Sequence, residues 1–258
     1  MYKSWILISL ILILSPVQAH KPENHASDII TQALSAPDRS EADRQRDTRS
    51  RPDVTLALLN IGHGDVVFDV FGGGGYYSEL IARVVGEGGK VYLHNNQAYR
   101  NFVNDALSQR MSQNNMTQMI QHDREVDDLG IQENTLNAAL IIMSYHDLFY
   151  DDKVNNWPQI DHNNFIQQIH RGLKPGGRFL IVDHQANSAR QAQDTHSLHR
   201  IEKDFAIDQM EALGFKRVAE SVALANPDDD KSQSVFDPEV RGKTDRFIVV
   251  FEKLTDKK

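Results

Sequence analysis

Residues 66–86 read VVFDVFGGGGYYSELIARVVG. An apolar run of strand length leads into four consecutive glycines, Gly72, Gly73, Gly74 and Gly75. Beyond them Leu80, Ile81, Val84 and Val85 recur at the spacing of one helical face. A strand, a turn without side chains and a helix form the first unit of an open α/β sheet, and the loop after that strand is where such sheets bind ligands. Glycines there let backbone N–H groups come close to a ligand, and the helix N-terminus adds positive potential.

The same alternation continues outward. KVYLHN (90–95) reads as a second strand, 98–113 as a polar helix, TQMIQHD (117–123) as a third strand and LNAALIIMSYHD (136–147) as a fourth. HNNFIQQIHRGL (162–173) is a helix closing at the Pro-Gly turn KPGG, and RFLIVDH (178–184) is the fifth strand. A helix over 198–213 precedes strands at 215–225 and 245–254. Strands separated by helices imply a parallel sheet covered on both faces, and two final strands with no helix between them imply an antiparallel end. The expected fold is α/β, a Rossmann-like doubly wound seven-stranded sheet, mostly parallel with an antiparallel last strand.

Residues 1–19 carry Lys3, an apolar run over 5–14, Pro16 and the ending Val17-Gln18-Ala19, the layout of a secretory signal peptide. That apolar run is short for a bilayer core of roughly 30 Å. The chain is therefore expected to be exported to the periplasm, without stable membrane insertion after cleavage. Residues 20–51 form a polar helical extension, in which PDRSEADRQRDTRSRPD (37–53) reads as a solvated, ion-paired face. Residues 52–258 form the main domain. A net charge of −8 disfavours a nucleic-acid partner, and the absence of cysteine excludes disulfides, thiolate catalysis and cysteine zinc sites.

A dinucleotide is a poor fit to the glycine loop. Counting G-x-G-x-x-G from Gly73 ends on Ser78 and from Gly72 on Tyr77, and the second strand ends in Asn95 where that fingerprint wants an acid. The set VVFDVFGGGGYYSELIA, GKVYLHN, QHDREVDDL, LIIMSYHDLFY and LKPGGRFLIVDH instead resembles, in order and spacing over 53–184, the successive motifs of class I S-adenosylmethionine-dependent methyltransferases. The C-terminal HSLHRIEKDFAIDQMEALGF, NPDDD and FDPEVRGKTDRF resemble more narrowly a bacterial group of predicted methyltransferases that carry signal peptides.

The resemblance implies S-adenosylmethionine as cofactor. Asp69 would orient the loop by accepting backbone N–H bonds, and Gly72, Gly73 and Gly75 would border the cofactor's amino-acid end. Asn95 would meet the ribose, Asp123 the adenine amino group, and Ser144 would complete the cofactor contacts. Phe71 stands where the family has its first glycine. At Asn95 an amide offers one acceptor oxygen where a carboxylate offers two, an expected loss of about 1–2 kcal/mol in ribose binding.

Polar groups end four strands at one edge: Asp69, His94 beside Asn95, His146 beside Asp147, and Asp183 beside His184. His199 opens the late helix. Methyl transfer to an O–H or N–H nucleophile needs positioning and a proton acceptor. His146 is the expected base, at a pKa near the ordinary value of about 6.5. Asp147 or Asp183 would orient an imidazole, and His184 is the alternate base. No paired metal-ligand spacing occurs, so no metal ligand is assigned. The expected function is methylation of a small molecule. Its rivals are a non-catalytic binding protein on the same fold and a metal-dependent hydrolase or lyase using the strand-end histidines.

Overall fold

In the first strand, β1 (Val66–Val70), Phe68 and Val70 enter one apolar cluster and Val67 a second one across the sheet. Such a strand is covered on both faces, which is why its run is continuously apolar rather than alternating. The computed structural model containing it describes residues 23–113, 116–154 and 156–254, with side chains from residue 27 onward. The leader read at 1–19 lies outside the described residues, and among those no helix is long and apolar enough to cross a membrane.

The helices α1 (Glu23–Ser35), α2 (Glu41–Ser50) and α3 (Pro52–Leu59) precede β1. Then follow α4 (Tyr76–Val85), β2 (Lys90–Asn95), α5 (Gln97–Val103), α6 (Ala106–Gln113), β3 (Met119–Asp123) and β4 (Leu136–Ile142). The chain ends with α7 (His162–Gly172), β5 (Leu173–His184), α8 (Thr195–Leu198), α9 (Lys203–Ala212), β6 (Phe215–Ser221) and β7 (Arg246–Lys253). The strands lie in the order β3-β2-β1-β4-β5-β7-β6. β1 to β5 pair in parallel, and β7 runs antiparallel to both β5 and β6. The sheet is thus the seven-stranded, mostly parallel one expected. Its order reverses between β1 and β4, which opens a crevice above their carboxyl ends.

Three elements are shorter or more broken than the sequence pattern suggests. The fourth strand stops at Ile142, because Met143 turns left-handed at φ 54° and sends 146–149 into a 3-10 turn. The helix expected over 98–113 breaks at Asn104 (φ 48°) into α5 and α6, and the one over 198–213 breaks at His199 (φ 54°). The KPGG turn survives as a bulge inside β5, where Leu136↔Leu173 is followed by Ala138↔Arg178.

The N-terminal helices are less solvated than their composition suggests. Ile30 and Ala33 join the core, and the Arg39 side chain is buried in an ion pair with Asp47. Asp43, also buried, receives Arg110 of α6 at 2.6 Å, and Arg110 also pairs with Glu79 of α4. The extension therefore packs onto the glycine-loop end of the sheet, with Tyr76 Oη donating to Asp47 at 2.6 Å.

Candidate functional site

The glycine loop is closed by the chain's own side chains. Asn95 at the tip of β2 clasps Gly73, its Oδ1 accepting the Gly73 N–H at 3.0 Å and its Nδ2 donating to the Gly73 carbonyl at 3.0 Å. Gly72 N–H donates to the His94 carbonyl, and Arg110 donates to the Gly74 carbonyl at 2.7 Å. A Cβ on Gly74 would lie 3.3 Å from Ala106, and one on Gly75 3.0 Å from Leu93 and 3.1 Å from Arg110. The glycines therefore admit α5, α6 and β2 as near neighbours. Gly72 has a separate reason: a Cβ there would meet Asp69 Oδ2 at 2.8 Å.

Asp69 lies beneath the loop, and its partner differs from the one expected. It accepts from the Ser78 hydroxyl at 2.6 Å and from the Ser78 backbone rather than from the glycines. Burial pushes its carboxyl up to about 7, against the pull of those Ser78 bonds. Phe71 turns left-handed (φ 50°) and drives its ring under Tyr99, stacked at 4.4 Å and 5°, with Phe165 at 5.5 Å. Asn96 caps α5 by accepting the Tyr99 N–H at 2.9 Å, which fixes where that ring can lie.

Tyr99 links this wall to the second half of the site. Its hydroxyl lies 2.6 Å from both Ser144 Oγ and Asp147 Oδ2, donating to the carboxylate. Asp147 Oδ1 is 3.3 Å from His146 Nε2 and 3.9 Å from His199 Nδ1. Behind His146, the fully buried Asp183 accepts both the ring Nδ1–H and the backbone N–H at 2.8 Å, and the His184 N–H at 2.7 Å. His184 Nδ1 in turn meets Thr244 Oγ1 at 2.7 Å, and the His184 ring borders a cavity of about 570 Å³.

The histidines therefore carry different charges. Burial opposes a charge on His146, but Asp183 and Asp147 overcome it and push the ring up to about 9. Burial holds His184 at about 3 and His199 at about 4 despite Asp183. This shift favours the charged form of His146 at neutral pH, in contrast to the ordinary value expected of it as the base. His184 is the neutral ring, and the two lie 6.1 Å apart.

The strand-edge set divides. His146, Asp147, Asp183, His184 and His199 come together, and Ser144 joins them through Tyr99. His94 does not join them: it is buried between Phe68 and Phe71 rings, bonded to the Arg124 carbonyl at 3.0 Å and held neutral by burial, a packing histidine. Asp123 at the end of β3 borders a separate open cavity, 3.9 Å from Arg100. Sequence reasoning missed Tyr99, whose only signal was its place four residues after Asn95. These residues leave Asp123, the expected adenine acid, beside an open cavity, while Asn95 and Arg110 engage the Gly73 and Gly74 backbone groups that would face the cofactor.

No family model matches the chain. The ubiquinone/menaquinone biosynthesis C-methyltransferase UbiE of Escherichia coli is 25% identical over 180 residues, which span 68% of this chain and 66% of the relative. A SAM-dependent methyltransferase from Aquifex aeolicus superposes with a TM-score of 0.59 at 16% identity, covering 88% of this chain and 98% of the other. Geranyl diphosphate C-methyltransferase from Streptomyces coelicolor A3(2), in complex with Mg²⁺, geranyl diphosphate and S-adenosyl-L-homocysteine, gives 0.56 at 14% identity over 86% and 89%. Sheet order and structural neighbours together show that the chain has the fold of these S-adenosylmethionine-dependent methyltransferases.

Proposed function

We propose that the protein is an S-adenosylmethionine-dependent methyltransferase acting on a small molecule. The observation that supports it is the meeting, at one sheet edge, of the glycine loop with an acid–base histidine pair. When bound, the cofactor supplies an electrophilic methyl group. Asn95, Asp123 and Ser144 would hold it, with Asp69 supporting the loop from beneath through Ser78. The acceptor must give up a proton as it is alkylated. His184 is placed to take it, because Nδ1 is engaged by Thr244 and Nε2 is the nitrogen left for a substrate in the cavity. His146, held by Asp183 and Asp147, keeps a fixed positive charge beside the reacting centre and stabilises negative charge that develops there. The finer assignments, to the signal-bearing bacterial group and to the periplasm, belong to the same proposal; the N-terminal sequence of the mature protein checks the second.

The test is thermal stabilisation of the chain lacking residues 1–19 by S-adenosylmethionine and S-adenosylhomocysteine, since a ligand that binds only the native state raises Tm. Absence of a shift at millimolar ligand sinks the reading. A second reading is favoured by one cluster: His146, Asp147 and His199 each offer a ligand atom within 4.8 Å of the others. Two imidazoles and a carboxylate suit a divalent transition metal, with Asp183 and Tyr99 orienting the ligands from behind. Stabilisation by Zn²⁺ or Mn²⁺ that disappears in His199→Ala would establish it, and no stabilisation would dismiss it.

A further inference from the structure

The cavity beside His184 is basic in a protein of net charge −8. Arg46 and Arg49 of α2, Arg241 and Lys243 of the loop before β7, and Arg246 at the start of β7 all border it, and no Asp or Glu does. Among the described residues none of these five cations forms an ion pair. Most other arginines of the chain do so.

Arg246 is 9% exposed; its Nη2 donates to the Arg49 carbonyl at 2.7 Å and its Nε has no partner among the described residues. Arg46 lies over the Tyr76 ring at 4.1 Å, so the basic wall reaches the start of α4 beside the glycine loop. Gathering like charges without counter-ions is unfavourable unless an anion completes the set. The loop is also built to hold them. Arg200, fully buried, is paired with Asp229 at 2.8 Å, and Asp229 accepts the Asp245 N–H at 2.6 Å, pinning the chain between Lys243 and Arg246.

We propose that this cavity binds the anionic head of the substrate, a phosphate or diphosphate group on a small molecule. Guanidinium forks match phosphoryl oxygens in pairs, and five cations around one cavity suit a head of more than one negative charge. Met143, Val235 and Phe236 supply an apolar wall to the same cavity, which fits a hydrocarbon body attached to the head. His184 borders the same cavity, so head and body would be held beside the atom that loses its proton. The inference rests on the methyltransferase reading for the reaction, but the anion site stands without it.

Isothermal titration of inorganic pyrophosphate into the chain lacking residues 1–19, at ionic strength held with KCl, tests it. One saturable site is expected. Arg241→Gln and Lys243→Gln, both at exposed positions, should each weaken binding about ten-fold, and Arg46→Gln should do so with the S-adenosylhomocysteine shift retained. Absence of pyrophosphate binding, or equal binding in all three variants, overturns the proposal. Loss of the S-adenosylhomocysteine shift with pyrophosphate binding unchanged also overturns it, because the cations would then serve the cofactor. Pyrophosphate binding in a protein that ignores S-adenosylhomocysteine supports the anion site while removing the methyltransferase reading.

Discussion

Replacing Phe71 with glycine restores the residue that the class I loop ordinarily has, and the structure gives two opposed consequences. The wild-type residue is left-handed at φ 50°, a conformation that costs a non-glycine residue about 1–2 kcal/mol. It is kept there by packing, at 4% exposure with its ring stacked on Tyr99 and Phe165 and tilted against His94. Losing a buried phenyl costs about 3–5 kcal/mol, so after relief of the strain the net loss is about 1–4 kcal/mol. For a domain of this size that lowers Tm by about 2–16 °C. The same change removes the platform holding Tyr99 over β1 and β4 and opens the space expected for the methionine end of the cofactor. Differential scanning fluorimetry of Phe71→Gly with and without S-adenosylhomocysteine reads both effects. The apo variant should melt lower, and its ligand-induced shift should exceed that of the wild type. An unchanged apo Tm would falsify the packing argument. A ligand shift no larger than the wild type's would show that the Phe71–Tyr99 stack is not what closes the cradle.

Asn95→Asp should lower apo stability by about 1–3 kcal/mol, because the Gly73 carbonyl loses its donor; it should also tighten S-adenosylhomocysteine binding, and calorimetry showing unchanged affinity would remove residue 95 from the ribose site. His146→Gln should cost about 3–5 kcal/mol in chemical denaturation, since it leaves Asp183 and Asp147 buried without their cation. His146 has a folded pKa of about 9, above its unfolded value, so its contribution is complete below about 6.5 and disappears as pH rises through 9. Wild-type Tm should therefore fall between pH 7 and 9, and a His146→Gln profile with the same slope would contradict the assignment. His184, depressed to about 3, has the opposite sign: its contribution is present above about 6.5 and lost as pH falls toward 3, a loss that His184→Gln should reduce in acid titration.

The central strands β1 and β4 and the second half of β5 were legible because they are continuous apolar runs, and local pattern decides such elements. The breaks were not. Asn104 and His199 interrupt helical patterns through left-handed backbone that no periodicity reveals, and each break places a functional element: α5 over the glycine loop, His199 against Asp147. Asp69 and Asn95 were read at the right strand ends, but their partners depend on distances across the fold, and Ser78 and Gly73 claim them first. The helix over 41–50 shows why composition misleads. Its charges read as a solvated face, yet Asp43 is buried and Arg46 and Arg49 join cations about 200 residues later in the chain.

Asp183 explains how one site holds histidines of opposite charge. Its three accepted hydrogen bonds come from the His146 ring, the His146 backbone and the His184 backbone, so its charge is directed at the His146 imidazole while His184 receives only an amide contact. The His184 ring meets a neutral hydroxyl instead, and burial then keeps it uncharged. The difference between the two rings thus follows from the turn at Met143, which ends β4 early and brings His146 to Asp183 at the end of β5.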